Sequence, residues 1–406
     1  MSDRDALASA FAARYTTSGT THGLATDHTE NALAAICDNL NAASGAAVRE
    51  AWWRRGGELF QSLLLAARRA THPLPIEATQ ARQSLTATGR AGVSTWTFAP
   101  VDVVGALEMV DHAESQIPTD HPMAEAVAMH LAEVRRGWQH LGALHDQSIA
   151  DDELAHVWSA RWPTPDGTEL AAAIEVLDRH TMVHSDRPAP PRTEILERFA
   201  AALASVAPEW KVEERANGAA IASTSHERRV LYVDPTRVDS EQSLERLIVH
   251  EVFGHVARGR RALGRPDMLA SVALGADAPE IEEAMAILAE QRHGVHRPAV
   301  ERRYAARLIA VEIANRAGID AVHEELLRWV SPSEAAAIAV RVKRGLRHPD
   351  QPGAYSKDVI YRRGTASLER HLALHPGDLA VLQATKWGLG TSRRFGGLFL
   401  ETGNRP

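Results

Sequence analysis

Residues 243–258 read SLERLIVHEVFGHVAR, and Leu244, Leu247, Ile248, Val252, Phe253 and Val256 recur at the three- and four-residue intervals of a mostly buried helix. Inside that pattern stand His250, Glu251 and His255. Unpaired polar groups are costly in such a helix, so two imidazoles and a carboxylate suggest a metal site. Neutral imidazole binds zinc readily, and a glutamate beside a ligand can take a proton from a water that the metal activates. The histidines lie five positions apart, whereas a regular helix turns about 100° per residue, so they would diverge by roughly 140°. Gly254, directly before His255, offers a remedy, because glycine tolerates a local widening or a single-turn π-bulge that absorbs one residue. Ser243 is the expected cap of this helix.

Composition narrows the surroundings. A chain of 406 residues is long enough for two domains, or for one large enzyme domain with a helical appendage. Its 45 basic and 52 acidic side chains leave a net charge of −7, which gives no global electrostatic case for nucleic acid. Cys37 is the one cysteine, so an intramolecular disulfide and a cysteine-rich metal site are excluded and histidine and carboxylate must carry any metal. The N-terminus has no signal-peptide core, and no apolar run approaches the ~20 residues of a membrane span. A soluble, cytoplasmic, helix-rich protein is expected.

Working outward towards the N-terminus, residues 1–25 read as a polar lead, and helical periodicity begins at Glu30 and includes Trp52 and Trp53. Pro73 and Pro75 break it. Further helices are expected at 101–115, 122–146 and 167–179. His140 and His145 are again five apart, but no glutamate adjoins the first, and a surface pair near a helix end is expected there. HSDRPAPPRTE at 184–194 reads as a linker between a helical region, 1–190, and a catalytic region, 191–406. Runs of β-branched residues between Lys211 and Asp234, with Asn217-Gly218 between the first two, predict a hairpin and a small sheet just before the histidine helix.

Downstream, 277–291 reads as a helix carrying Glu282, Glu283 and Glu290 as candidates for the missing ligand. Glu283 and Glu290 lie two turns apart on one face, and Glu290 is too deep in the helix to serve merely its dipole. Helices follow at 301–317 and 333–344, the second capped by Ser333.

Four motifs, HEVFGHVAR, IEEAMAILAE, RVKRG and GAYSKDVIYRRG, in this order resemble the tyrosine-carboxypeptidase-like family of metallopeptidases. Its bacterial members carry a QEGLA motif, and its eukaryotic members remove the C-terminal tyrosine of α-tubulin. The resemblance runs from about 210 to 388 and implies zinc held by His250, His255 and Glu283, with Glu251 as catalytic base. Glu282-Glu283-Ala284-Met285-Ala286 stands where the family has Gln-Glu-Gly-Leu-Ala, so the carboxylate is retained and the glycine is not. HEVFGH is also similar to the HExxGH of dipeptidyl peptidase III, but the later motifs favour the first family.

Beside such a centre Tyr361 is the candidate to stabilise the oxyanion of peptide hydrolysis. Arg341, Arg344, Lys343 and Lys357 are available for a substrate carboxylate. The expected protein is therefore a helix-rich α+β, zincin-like chain with a small sheet preceding the metal helix. It would be a zinc-dependent metallopeptidase, by preference a carboxypeptidase, acting on a peptide with no nucleic-acid or membrane partner. The alternatives are a zinc amidohydrolase on a small amino-acid conjugate and an inactive metal- or peptide-binding relative.

Overall fold

The computed structural model describes residues 73–396, apart from 116, 118–123, 180–186, 217–219, 227 and 265–267. The expected lead and helices before residue 72, with Cys37, Trp52 and Trp53, lie outside the described residues, as do Asn217, Gly218 and the start of the 184–194 segment.

Six helices precede the sheet among the described residues: α1 (Ala78–Thr88), α2 (Val103–Ser115), α3 (Ala124–His145), α4 (Asp151–Arg161), α5 (Gly167–Arg179) and α6 (Arg192–Val206). Their buried positions are mainly alanine, leucine and valine, residues that lose little on entering a helix or that pack well once there. His140 belongs to this interior rather than to the surface: it is buried edge-on against Trp158, at 4.9 Å between ring centroids, and burial drives its pKa down to about 4. A neutral ring loses less on leaving water than a charged one, which is why the helix end can hold it.

Three short strands follow, β1 (Lys211–Glu214), β2 (Ala222–Ser225) and β3 (Val230–Val233). The expected hairpin between the first two does not form, because β3 lies between them, parallel to β1 and antiparallel to β2. Burial explains the order. The Val-Leu-Tyr-Val of β3 is the most apolar strand and takes the centre, while the largely exposed Lys-Val-Glu-Glu of β1 takes an edge. The tight connection is instead β2 to β3, through Arg229 at φ 53°.

The histidine helix then runs as α7 (Glu241–Ile248), a π-helical segment Val249–Val256, and α8 (Ala257–Leu263). Its cap is Ser240, which accepts from the Ser243 amide at 3.2 Å, three residues before the serine expected in that role. Beyond it come α9 (Ala278–Arg292), α10 (Pro298–Arg316), α11 (Ile319–Leu326), α12 (Pro332–Lys343), α13 (Ile360–Leu374), α14 (Asp378–Ala384) and α15 (Leu389–Phe395). Ser331, not Ser333, caps α12 by accepting from the Glu334 amide at 3.3 Å.

One apolar core joins α1–α5 to α10–α12, with Leu85, Leu131 and Trp158 in the same cluster as Leu308, Val342 and Trp387. It therefore crosses residue 190. A second core packs α6 and the sheet against Leu244, Val252 and Val256 of the histidine helix, and a third packs α9 against α13 and α14.

The π segment sits between the second and third cores, and Gly254 faces α9 there. A Cβ on Gly254 would lie 2.8 Å from both Cα and Cβ of Ala286, so this glycine is required for close helix approach. Gly254→Ala gains up to about 1 kcal/mol of helix propensity, but overpacking against backbone costs about 1–3 kcal/mol. A lower thermal unfolding midpoint, read by circular dichroism, is the expected result.

Candidate metal centre

The widened segment turns His250 and His255 towards one another, with their Nε2 atoms 3.2 Å apart and their rings nearly perpendicular at 84°. Glu283, from the first half of α9, brings Oε2 to 3.4 Å from Nε2 of His250 and 3.8 Å from Nε2 of His255. Among the described residues these three form a group able to hold a metal ion, with ligand atoms within 4.8 Å of one another.

The far nitrogens decide which lone pairs are available. Nδ1 of His250 lies 2.8 Å from Glu290 Oε1, and Nδ1 of His255 lies 3.0 Å from Glu282 Oε1. Ionised carboxylates only accept, so both Nδ1 atoms must donate, and each Nε2 presents its lone pair to the same point when its ring is neutral. Carboxylates behind metal-binding imidazoles fix tautomer and ring orientation in this way. Glu290 is thus the orienting partner of His250, and Glu283 alone of the three candidates stands beside both Nε2 atoms. Glu282, the remaining candidate, orients His255.

Glu290 and Glu282 are themselves held. Glu290 accepts from Arg246 at 2.9 Å and from His296 Nδ1 at 2.9 Å, and Glu282 accepts from Arg258 at 2.5 Å and lies 3.2 Å from Lys386 Nζ. Burial alone would raise both carboxyls, but these partners hold both well below the usual carboxylate range. Glu283 Oε2, by contrast, is buried with no hydrogen-bond partner among the described residues. Two facing lone pairs and an unpartnered carboxylate oxygen concentrate negative potential that a proton or a cation must relieve. Burial opposes a proton on His250, yet the carboxylates of Glu283 and Glu290 outweigh it and raise its pKa to about 10. The donor set therefore fits a divalent ion that takes imidazole and carboxylate.

Glu251 is buried beside this point and, with His250 and Tyr361, lines a cavity of about 520 Å³. Tyr361 stacks on Tyr304 with centroids 5.0 Å apart, and Arg307 lies 4.8 Å over its ring. Burial and the charge of Glu283 push the Tyr361 phenol up, so it remains a proton donor at neutral pH.

Of the basic candidates only Arg341 lines this cavity, and its Nε and Nη2 donate to buried Asp358 at 2.8 and 2.6 Å. Arg344 is buried away from it, 4.9 Å over Tyr355. Lys343 donates to the carbonyls of Ala314, Gln351 and Gly353, a structural role. Lys357 lies 6.0 Å over Trp162, its pKa lowered to about 7 by burial against the pull of Glu283. Sequence reasoning missed Arg246, Arg258, Lys386 and His296. Arg246, one turn before His250, and Arg258, one turn after His255, are within reach of periodicity; Lys386 and His296 join the site through the tertiary fold.

A helix-rich α+β chain with a His-His-Glu group beneath an arginine-lined cavity is what the fold and site define. The chain belongs to the microtubule-associated tyrosine carboxypeptidase family, whose sequence model matches residues 100–395, and this membership indicates a peptidase-like enzyme. The match begins at residue 100, not near 210, so it takes in most of the described N-terminal helices. No curated protein was found to match the chain. Among the described residues no helix is long and apolar enough to cross a membrane.

Two outcomes test the ligand geometry. Elemental analysis of Glu283→Gln should show the metal lost, whereas Glu290→Gln should keep it with an affinity about 10- to 100-fold weaker, because only orientation is impaired. Metal binding must also expel the proton that His250 holds up to a pH of about 10. Affinity should therefore rise about tenfold per pH unit from neutrality towards that value, with proton release visible in calorimetry across buffers.

Proposed function

We propose that the chain is a zinc-dependent carboxypeptidase of zincin-like type. The observation that carries this is the convergence of His250, His255 and Glu283 beside Glu251, on the wall of a cavity wide enough for a peptide end. Zinc bound there would act as a Lewis acid, polarising a scissile carbonyl and acidifying water. Glu251 accepts the proton of the attacking water and passes it to the leaving amine. Tyr361 donates its hydroxyl proton as a hydrogen bond to the oxygen on which charge develops. Glu290 and Glu282 keep the two imidazoles in one tautomer throughout, and Arg341, held by Asp358 through Nε and Nη2, contributes positive charge to the cavity wall. Tyrosine in the family's description makes a peptide ending in tyrosine the first substrate to try.

Glu251→Gln should keep zinc and fold yet turn over about 10²- to 10⁴-fold more slowly, since an amide preserves shape but accepts no proton. Activity within twofold of wild type would remove Glu251 from the role of base. Recognition of a free carboxylate is worth about 1.5–3 kcal/mol, so amidating the substrate's C-terminus should lower kcat/KM roughly ten- to a hundredfold. Mass spectrometry of the products should show loss of a single C-terminal residue. Equal cleavage of acid and amide would instead favour an endopeptidase or an amidohydrolase.

A further inference from the structure

The stacked rings of Tyr304 and Tyr361 carry a guanidinium that the rest of the site leaves unused. Arg307 stands one turn after Tyr304 on α10, and its guanidinium carbon lies 5.5 Å from the Tyr304 ring centre and 4.8 Å from that of Tyr361. The two rings are nearly parallel, at 12°. Attraction to ring faces holds a guanidinium through its charge and leaves its N–H groups free to donate. Arg307 lines the same cavity as His250, Glu251 and Tyr361.

Those N–H groups have found no acceptor. Nε of Arg307 is buried without a hydrogen-bond partner, and among the described residues its η nitrogens make no hydrogen bond either. Asp358 Oδ2 lies 4.0 Å from Nε, too far for a hydrogen bond, and both oxygens of Asp358 already accept from Arg341, at 2.8 and 2.6 Å. One carboxylate thus faces two guanidiniums, and a positive charge is left over on the cavity wall. A largely desolvated charge short of partners is costly, and an entering anion relieves that cost.

Open donors and closeness to Tyr361 coincide in no other arginine of this wall among the described residues. Arg246 donates to Glu290, Arg303 to Glu334 and Arg237 to the Ala220 carbonyl, and Arg341, whose charge Tyr361 also feels, has Nε and Nη2 held by Asp358. Arg82 has an open guanidinium, but it enters from α1 and does not lie over the Tyr361 ring. Closeness matters because the terminal carboxylate of a peptide lies only one residue, about 3.8 Å between neighbouring Cα atoms, beyond the bond that a carboxypeptidase cuts. Its receiver must therefore adjoin the group that meets the oxyanion.

We propose that Arg307, held over Tyr361, receives the free α-carboxylate of the peptide through its η nitrogens, as a planar guanidinium matches a carboxylate in geometry. This rests on the carboxypeptidase reading and assigns the preference for a free C-terminus to one side chain.

The test uses the full, zinc-loaded chain and an acetylated pentapeptide ending in tyrosine, as free acid and as carboxamide. In Arg307→Gln the acid-to-amide ratio of kcat/KM should fall about tenfold or more, towards one, with the loss for the acid mainly in KM. Being a ratio, it does not depend on the fraction of enzyme that folds. If Arg307 only positions Tyr361, its loss slows acid and amide alike, and a wild-type ratio in Arg307→Gln overturns the assignment. Arg82→Gln should keep the wild-type ratio, and loss of the preference in that variant alone would move the carboxylate to Arg82. With wild type itself preferring the acid, either contrary result leaves the carboxypeptidase reading standing, whereas a ratio near one in wild type removes the reading and the assignment together. Calorimetry gives an equilibrium check on a form that turns over slowly: zinc-loaded Glu251→Gln should bind the acid peptide at least tenfold more tightly than the double variant Glu251→Gln/Arg307→Gln, and equal Kd values mean that the carboxylate sits elsewhere.

Discussion

Two imidazoles five residues apart can meet at one point only where the helix that carries them is widened. A π turn makes that possible by spending one extra residue per turn, and it is rare because its backbone geometry is less favourable than that of an α-helix. The chain holds it in place by packing. Val252 and Val256 are fully buried against α6 and the sheet, and on the opposite side Gly254 lets α9 approach until only hydrogen fits between Gly254 and Ala286. The same close approach sets Glu283 beside the two Nε2 atoms, so the contact that stabilises the widened turn also completes the donor set.

Charge balance then separates three glutamates that look alike in sequence. An isolated ionised side chain in a dry interior costs several kcal/mol, so every buried carboxylate needs partners. Glu290 has Arg246, His250 and His296, and Glu282 has Arg258, Lys386 and His255. Glu283 has no committed cation of comparable proximity, only the distant pull of Lys357 and the two histidines themselves. The deficit is local and falls where the imidazole lone pairs point. Saturating two carboxylates while leaving the third short of positive charge turns a helix of similar acidic residues into two groups that orient imidazoles and one that could hold a metal ion.

The sequence made the π turn legible, because the five-residue spacing conflicts with helical geometry and glycine stands at the one place that can resolve the conflict. What it could not reveal was the reason for that glycine: close approach to Ala286 is a contact between helices, invisible to local spacing. Glu290 lies too deep in its helix to be a dipole residue, but spacing alone cannot say that it faces Nδ1 of His250 and not the shared point. Strand order departs from the hairpin signal for a related reason. Asn-Gly is a local turn signal, whereas the centre of the sheet is decided by burial of Val230, Leu231 and Val233. Lys386 carries no local mark at all, since it reaches the site from a distant segment, whereas Arg258 stands one turn after His255 on the same helix.

That last dependence extends to the scaffold of the site. The loop after α12 brings Lys357 and Asp358 towards Glu283, and the N-terminal helices hold it there. Trp158 donates Nε1–H to the Gly345 carbonyl at 2.6 Å, Ser356 donates to the Trp162 carbonyl at 2.7 Å, and Asp151 accepts the backbone amides of Arg347 and His348. A side chain at Gly345 would meet Trp158 and Tyr355 at 2.6 Å, so the loop passes α4 as closely as backbone allows. Asp358 in turn fixes Arg341 on the cavity wall. Contacts made by helices before residue 180 therefore determine where Arg341 stands on the cavity wall it shares with Glu251, and the helical half shapes that cavity through the loop it anchors.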